Sequence, residues 1–471
     1  MTNIKQNNKK INTKLIIAVL VFSAFIGTFN ETILNVALNP IMNDFHIDSG
    51  TAQWIITAYM LVTSVMVPIT AFLYESFKTK KLYIIAMLFL LIGTVICAGS
   101  TSLLILILGR MVQAIGAGML IPIMMSTVLL VSPKEKIGIS MAICVSAVTL
   151  GPAFGPTISG IILQFLSWNM LFIILIPIVI IAIILGAIFI ENASDLRKPK
   201  LDYLSVVLSM AGLVAIIYGI SSIFNTFNVA IICFVIGIIL IAIFAKRQTK
   251  LKEPMLNLNP FRFVPFDFGV LMVMVIMMIC FTMNVIIPLY LEGALHTSSF
   301  VAGIVLLPAI LCNAVAATCG GKILDKYGIK ILIPGGFLLI AVSVFIMSMV
   351  NASTQVMTIA IIYIFIQIGV GLTMSPSQTS GLRYLPRDIY THGVAIMNTF
   401  QQIAACIGSS LFVGVMSFVE QKKLLLGVVS ENAVAQGFSA AILVAFVIVI
   451  VGLIASIVFI GVFNKNSKDK K

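Results

Sequence analysis

The sequence has very little charge for its length. Only 10% of its 471 residues are Asp, Glu, Lys or Arg, whereas a soluble domain carries roughly 25%. Hydrophobic residues make up 60% of the chain, and they occur in blocks of about 20 residues, the length of a helix that crosses the hydrocarbon core of a bilayer. A soluble globular protein is therefore excluded. Because the blocks are continuously apolar rather than alternating, they predict membrane-spanning helices.

The sequence also lacks the motifs of ATP-driven pumps and metalloenzymes. It contains no G-x-x-x-x-G-K-[ST] phosphate-binding loop and no H-E-x-x-H zinc motif. Its predicted loops are too short to contain a nucleotide-binding domain. The seven cysteines lie inside apolar blocks without paired spacing, which predicts neither disulfides nor a metal site. We therefore expect no enzymatic activity, no cofactor and no bound metal.

Fourteen membrane-spanning helices are predicted from the apolar blocks. Their approximate bounds are 15–38, 52–73, 82–99, 103–131, 137–163, 168–190, 203–221, 226–245, 267–291, 299–320, 331–349, 355–379, 392–417 and 436–462. An even number of spans places both termini on the same side of the membrane. The polar N-terminal segment has no small-residue cleavage site, so we expect the first span to be retained rather than removed as a signal peptide.

The basic residues predict the orientation of the chain. Almost all of the 29 Lys and Arg residues fall in segments that share a side with the termini. The opposite side has only Lys422 and Lys423, and Arg110 lies inside a span. Because cytoplasmic loops carry the excess of positive charge, both termini are predicted to be cytoplasmic, in the plasma membrane of a bacterium. The net charge of +13 then reflects topology and contact with anionic lipid head groups, and no nucleic-acid partner is expected.

Two predicted cytoplasmic turns resemble each other. Ala71-Phe-Leu-Tyr-Glu75 begins the turn between spans two and three, and Gly321-Lys-Ile-Leu-Asp325 begins the turn between spans ten and eleven, which continues to Gly328. In both, an acidic residue follows a small residue by four positions. If spans seven and eight are set aside, each turn joins the second and third helices of a six-helix half, a repeat that is typical of transporters.

This repeat predicts the domain organisation. The predicted segments are a cytoplasmic tail (1–14), a six-helix bundle (15–190), an inserted helix pair with flanking cytoplasmic loops (191–265), a second six-helix bundle (266–462) and a second cytoplasmic tail (463–471).

The first span contains a carboxylate. Glu31 lies in Asn30-Glu31-Thr-Ile-Leu-Asn35 and is the only carboxylate well inside any predicted span. A charged side chain at the bilayer centre costs about 2.5–3.5 kcal/mol on insertion scales, so such a residue is a functional candidate by default. It could load and release a proton, or pair with a cationic substrate. The alternative is a structural Glu that is hydrogen-bonded to neighbouring helices.

Arg110 in the fourth span is the only basic residue inside a span. Because Arg does not deprotonate in practice, it requires an anion or a shell of carbonyl groups, and Glu31 is the predicted partner. Movement of the two residues apart would link conformation to protonation. The alternative is a static buried contact. Gln113 follows Arg110 by three positions and completes an R-x-x-Q pattern.

The fifth span contains a repeated Gly-Pro pair. Gly151 and Gly155 are four residues apart, and each is followed by a proline, Pro152 and Pro156. Small residues at this spacing allow a neighbouring helix to approach closely, and the prolines remove backbone hydrogen-bond donors.

Further polar residues within the predicted spans either line a substrate path or bond one helix to another. They are Asn30, Asn35, Gln113, Asn284, Asn313, Gln367, Asn398, Gln401 and Gln402. Three of them share one face of span thirteen, because they are three and four residues apart: Asn398, Gln401 and Gln402.

These patterns resemble the motifs of the major facilitator superfamily, in its fourteen-helix drug:proton antiporter branch. The two turns resemble G-x-L-x-D-x-x-G-x-[RK]. Span one resembles D-x-T-x-x-N-V-A-L-P, with the acid one place later at Glu31, and span four resembles R-x-x-Q-G-x-G. The doubled Gly-Pro of span five resembles the antiporter motif that exporters share.

The resemblance implies a fold and a set of site residues. The implied fold is an all-α polytopic membrane protein with six, two and six helices. Glu31 and Arg110 are implied in proton coupling. The implied gating residues are Glu75, Gly321, Asp325, Gly328, Gly151, Pro152, Gly155 and Pro156.

The implied function is proton-coupled efflux of amphiphilic drugs or toxic compounds by alternating access. Two alternatives stay open, namely export of an endogenous lipid, fatty acid, peptide or signalling nucleotide on the same fold, and a transporter-like sensor or scaffold. The expected partners are a small amphiphilic substrate, protons and membrane lipids. The sequence does not specify an oligomeric state, and a monomer is the expectation.

Overall fold

Long apolar helices account for most of the chain. A computed structural model describes residues 13–133, 137–192, 202–223, 226–251, 254, 256–327, 329–386 and 389–468. Besides one 3-10 turn, Asn259–Arg262, the helices of these residues are α1 (Thr13–Thr32), α2 (Leu38–Phe45), α3 (Ser49–Ala52), α4 (Trp54–Ser76), α5 (Thr79–Ala98), α6 (Leu103–Val131), α7 (Ile137–Leu163), α8 (Asn169–Phe189), α9 (Tyr203–Ser221), α10 (Phe227–Gln248), α11 (Val264–Ala294), α12 (Ser299–Tyr327), α13 (Ile329–Met347), α14 (Val356–Leu382), α15 (Tyr390–Leu425) and α16 (Ser430–Lys468).

The helices have the length and composition of membrane spans. Within the described residues, 13 helices are long and apolar enough to cross a membrane. The fifth predicted span corresponds to α7, which contains a shorter apolar part, Leu150–Leu163. The structure is therefore consistent with fourteen spans. Only 17% of the apolar window of α10 is buried, so most of its side chains face the surroundings, as expected for lipid contact.

Two groups of helices touch each other along two seams. In the N-terminal group, α1 packs against α6, α7 and α8, and α5 packs against α6 and α8. In the C-terminal group, α11 packs against α14, α15 and α16, and α12 packs against α14. The α7–α12 contact forms one seam and the α4–α15 contact forms the other. We call the end of the bundle that lies opposite Thr13 and Lys468 the distal side.

The helices α9 and α10 form a pair that packs beside the α4–α15 seam. Leu213 of α9 lies in a small hydrophobic cluster with Val65 and Ile69 of α4. An ion pair joins the start of α9 to the end of α10. Arg247 Nη2 donates to Asp202 Oδ1 at 2.8 Å. This guanidinium holds the pKa of the Asp202 carboxyl well below its usual range, at about 2.

The structure corrects two predicted element bounds. Span one was predicted as one helix over 15–38, but α1 ends at Thr32, residues 33–37 form turns, and α2 begins at Leu38. A loop was predicted over 418–435, but α15 continues to Leu425 and α16 begins at Ser430. Hydropathy shows only which part of a helix lies in lipid. Helices α15 and α16 continue beyond their apolar parts because the backbone hydrogen bonds of a helix also form outside lipid.

Candidate functional site

The break after α1 creates a polar site inside the N-terminal group. The Asn35 N–H bonds to the Thr32 carbonyl at 3.1 Å, so the Glu31 carbonyl loses the partner that a continuous helix would give it. Pro40 follows and has no N–H to give to the Val36 carbonyl. The helix therefore ends in the middle of the protein with carbonyl groups that need donors.

Arg110 supplies those donors. It is fully buried, at 0% exposure. Its Nη1 donates to the Asn30 carbonyl at 2.9 Å and to Asn30 Oδ1 at 3.3 Å, and its Nη2 donates to the Glu31 carbonyl at 3.4 Å. The C-terminal end of a helix carries partial negative charge, so the broken helix itself stabilises the guanidinium.

The predicted ion pair between Arg110 and the Glu31 carboxylate is wrong for this structure. Within the described residues, ion pairs at or below 4.0 Å join only Arg247 to Asp202 and His296 to Glu431. Backbone carbonyls take the place of the carboxylate, because the break after α1 leaves them unpaired and within reach of the guanidinium.

Tyr59 and Gln113 complete the surroundings of Arg110. The Tyr59 ring centroid lies 4.0 Å from the guanidinium carbon, within the range of a cation–π contact, and its hydroxyl donates to the Gly27 carbonyl at 3.2 Å. Gln113 Oε1 accepts from Arg110 Nη1 at 3.0 Å, and its Nε2 donates to Thr94 Oγ1 at 2.9 Å. Helices α1, α4, α5 and α6 therefore meet at Arg110.

Sequence reasoning missed Tyr59 and Thr94. Tyr59 could have been found because it is a tyrosine inside an apolar block, and the hydroxyl of a buried tyrosine usually has a hydrogen-bond partner. Thr94 gave no comparable signal, because threonine hydroxyls in helices commonly bond to their own backbone.

The Glu31 side chain lies within electrostatic range of Arg110 but forms no ion pair with it. It is 4% exposed, and its Oε1 has no hydrogen-bond partner. Gln402 of α15 approaches the carboxyl group from the C-terminal group of helices. Glu31 therefore lies where the two groups of helices face each other.

Several other predicted path residues also have unpaired buried atoms. Both amide atoms of Asn35, Gln401 Nε2 and Gln402 Oε1 have no partner. Buried polar atoms normally find partners in a protein or in bound water, so these side chains differ from Gln113, which bonds through both of its amide atoms. Asn398 is half-buried on the same helix as the two glutamines.

Asn284 belongs to a different network, in the C-terminal group. Its Oδ1 accepts from the Tyr363 hydroxyl at 2.9 Å. Gln367 Nε2 donates to the same hydroxyl at 2.5 Å, and Gln367 Oε1 accepts from Asn313 Nδ2 at 2.9 Å. This network joins α11, α12 and α14 with neutral side chains, whereas the N-terminal group uses Arg110. The structure therefore does not bring Asn284 together with Glu31.

The Gly-Pro helix α7 packs closely on α1, as predicted from its small residues. A Cβ atom at Gly151 would lie 2.0 Å from Thr28 Oγ1, and one at Gly155 would lie 2.2 Å from Thr32 Oγ1. These glycines therefore allow α7 to lie against the last turns of α1, directly beside the break. Pro152 and Pro156 lie within the same helix.

The residues of the two similar turns lie at equivalent helix ends. Glu75 is in the last turn of α4, and Gly321 and Asp325 are near the end of α12. The side chains of Glu75 and Asp325, and all of Gly328, lie outside the described part of the structure.

The helical fold and the buried polar cluster define a multi-pass membrane transporter. The sequence profile of the Major Facilitator Superfamily matches residues 20–409. The chain therefore belongs to the Major Facilitator Superfamily.

Known proteins similar to the chain include resistance proteins. The lincomycin resistance protein LmrB of Bacillus subtilis (strain 168) is 35% identical over 448 residues, which cover 93% of this chain and 94% of LmrB. A multidrug resistance protein B homolog of Mycobacterium tuberculosis (strain CDC 1551 / Oshkosh) is 24% identical over 400 residues, which cover 83% of this chain and 74% of that protein.

A solved structure has the same fold. It is a bacterial homolog of the human lysosomal transporter Spinster, in an inward-facing and unoccupied conformation. The TM-score is 0.68 at 12% identity, with 96% of this chain and 97% of that chain covered.

Proposed function

We propose that the chain exports amphiphilic drugs or toxic compounds from a bacterium in exchange for protons. The observation that carries this proposal is the buried Glu31 carboxyl group, which has an unpaired oxygen and lies between the Arg110 cluster and Gln402. The names of the relatives, which refer to lincomycin and multidrug resistance, support drugs as the substrates.

In this proposal, residues 15–190 and 266–462 are two halves that move relative to each other, and residues 191–265 are an insertion. Both termini are cytoplasmic, so the distal side faces outward. Hydrogen bonds between described residues of the two halves lie in the distal part of the seams, such as Thr57 Oγ1 to Ser410 Oγ at 2.9 Å and Thr157 Oγ1 to the Gly303 carbonyl at 3.2 Å. This arrangement supports a state that is closed to the outside.

The proton step follows from the charges in the site. Arg110 is held by the carbonyls at the end of α1, so its charge stays in place while Glu31 is protonated or deprotonated. Deprotonated Glu31 attracts a cationic substrate from the cytoplasm. A proton that arrives from outside neutralises Glu31 and releases that substrate, so substrate and proton use the same carboxyl group at different times.

Accumulation assays in bacterial cells test this proposal. Cells that express the chain should accumulate less lincomycin and less ethidium than control cells, and collapse of the proton gradient should remove the difference. Glu31→Gln should remove it as well, with normal amounts of protein in the membrane. Glu292→Gln is the matched control, because Glu292 lies at the end of α11, where it accepts from Ser299 Oγ at 3.2 Å, and it should retain efflux.

The assay separates the proposal from its alternatives. Efflux of neither compound by a folded chain would contradict drug export. Efflux that continues unchanged in Glu31→Gln would contradict the role of Glu31.

A further inference from the structure

A cavity lies on the distal side, where α4, α15 and the α9–α10 pair meet. Its volume is about 70 Å³, enough for several water molecules, and it opens to the surroundings. Asp48 and Trp54 line it from the N-terminal group, Ser410 and Phe418 line it from α15, and Ser222 lines it from the end of α9. Three separately packed parts of the chain therefore contribute to one cavity.

Gln53 gives this cavity an unpaired acceptor. The side chain lines the cavity and is 4% exposed, and its Oε1 has no hydrogen-bond partner. Its Nε2 donates to Thr57 Oγ1 at 3.4 Å. A buried acceptor without a donor is unfavourable, so Gln53 Oε1 favours a ligand that brings an N–H or O–H group.

The electrostatics of the cavity favour a cation. Asp48 accepts from the Thr51 N–H at 2.7 Å and from Gln421 Nε2 at 2.7 Å, and neither donor is charged. Glu420 lies within electrostatic range of Asp48. Within the described residues, no ion pair neutralises either carboxylate.

The aromatic residues of the cavity favour the same ligand. Trp54 and Phe418 line the cavity together with Asp48, and the face of an aromatic ring attracts cations.

We infer that this distal cavity binds a small organic cation with N–H donors. The cation lies between the Asp48 carboxylate and the Trp54 ring and donates to Gln53 Oε1. Because its binding residues come from both groups of helices, the bound cation stabilises the distally closed state. The site is separate from Glu31, so this inference does not rest on the proposed proton coupling.

Tryptophan fluorescence offers a direct test, because the chain has only two tryptophans. Trp168→Phe leaves Trp54 as the single tryptophan. Benzamidinium, a flat cation with N–H donors, should change the fluorescence of this variant in a saturable way when it is added to purified protein in lipid nanodiscs. Benzamide, its neutral counterpart of the same shape, should bind more weakly by about tenfold, because a charge-assisted hydrogen bond is lost.

Variants locate the binding site. Asp48→Asn should weaken benzamidinium binding by about tenfold and should fold normally, because Asn is also a good helix N-cap. Ser222→Phe should block binding by filling the cavity from α9. Glu431→Gln, which removes a distal carboxylate outside the cavity lining, and Glu31→Gln should both bind like the parent.

Two results would overturn the inference. One is a fluorescence change that never saturates and is the same in the parent, Asp48→Asn and Ser222→Phe. The other is loss of binding in Glu31→Gln with retention in Asp48→Asn, because the cation would then occupy the central site.

Discussion

Two ionisable side chains on neighbouring helices have different surroundings, and the proposed proton coupling depends on this difference. Arg110 is surrounded by carbonyl oxygens, Gln113 and the Tyr59 ring, whereas Glu31 keeps an unpaired oxygen. The guanidinium therefore does not require Glu31 to be ionised. Glu31 can change its protonation state without leaving a buried, uncompensated Arg, which would be strongly destabilising.

Arg110→Lys tests whether the shape of the guanidinium is required. A lysine ammonium cannot reproduce the planar set of donors or the stacking on Tyr59. We expect transport to decrease by at least about tenfold, as for loss of two charged hydrogen bonds, with the protein still in the membrane. Substrate efflux from cells, with immunoblotting of membranes, measures both properties.

The matched control is Arg247→Lys, an Arg-to-Lys change at the end of the α9–α10 pair. It should retain efflux. Full efflux in Arg110→Lys would mean that charge alone is sufficient at this position.

The residue-level predictions depended on rare polar residues in apolar blocks, and this limits what they could include. Glu31, Arg110 and Gln113 could be selected because polar and charged residues are costly in lipid. The contact of Arg110 with the Asn30 carbonyl could not be predicted, because a backbone carbonyl is free to accept from a side chain only where the helix breaks. The stretch from Ile33 to Leu38 is apolar except for Asn35, and Pro40 lies beyond the break, so the apolar pattern predicts one continuous helix.

At the scale of helices, the packing of α7 on α1 holds the broken segment in place. Gly155→Ala would place a Cβ atom 2.2 Å from Thr32 Oγ1, so either the Thr32 side chain must rotate or one of the helices must shift. We expect a loss of stability of about 1–3 kcal/mol, typical of overpacking. Thermal unfolding of purified protein in detergent measures it.

A second substitution shows whether this contact is the cause. Thr32→Ala removes the clashing oxygen, so Gly155→Ala/Thr32→Ala should recover part of the stability. Gly335→Ala is the control, because a Cβ atom there meets nothing within 4 Å. An equal loss of stability in both single glycine variants would contradict the packing argument.

The α9–α10 pair should be stabilised by its ion pair in a pH-dependent way. Because the folded-state pKa of Asp202 is lowered to about 2, below the ordinary value of about 3.9, the contribution is present above about pH 4 and is lost as the pH falls towards 2. Asp202→Asn should therefore lower the unfolding temperature at pH 7, and the difference from the parent should shrink at pH 3.

Glu191→Gln is the control for this measurement, because Glu191 forms no ion pair among the described residues. A difference between the parent and Asp202→Asn that stays constant from pH 7 to pH 3 would show that the Asp202 charge does not stabilise the pair.

Helix positions could be predicted from hydropathy, but several helix ends could not. The break at residues 33–37 depends on Pro40 and on donors from Arg110, which lies far away in sequence. The extension of α15 to Leu425 passes through polar residues such as Gln421, which the apolar pattern assigns to a loop. Each helix end is thus set by hydrogen bonding and not only by lipid contact.

At the scale of the whole molecule, the two seams are closed in their distal parts, and transport by alternating access requires them to open. The Thr57 and Ser410 hydroxyl oxygens lie 2.9 Å apart across the α4–α15 seam. Cysteines at both positions, with Cys406→Ser to avoid mispairing, should form a disulfide under oxidation. Transport should stop when the disulfide forms and return after reduction.

Each single-cysteine variant, exposed to the same oxidant, serves as the control and should transport normally. Full transport with the disulfide intact would contradict opening of this seam.

The fold class of the molecule could be predicted because long apolar blocks indicate membrane-spanning helices, and because the two similar turns and the motifs of spans one, four and five resemble one family. The distal cavity could not be predicted in this way. It depends on Asp48, Ser222 and Phe418, which are far apart in the sequence and are not unusual residues in their segments.

The central claim is that Glu31 couples protons to substrate export, and purified protein in liposomes tests it most directly. A proton gradient should drive ethidium movement together with proton counterflow, recorded by a pH-sensitive dye in the lumen. In Glu31→Gln, both fluxes should be lost while the protein remains folded. Gradient-driven ethidium movement with normal proton counterflow in Glu31→Gln would contradict the claim.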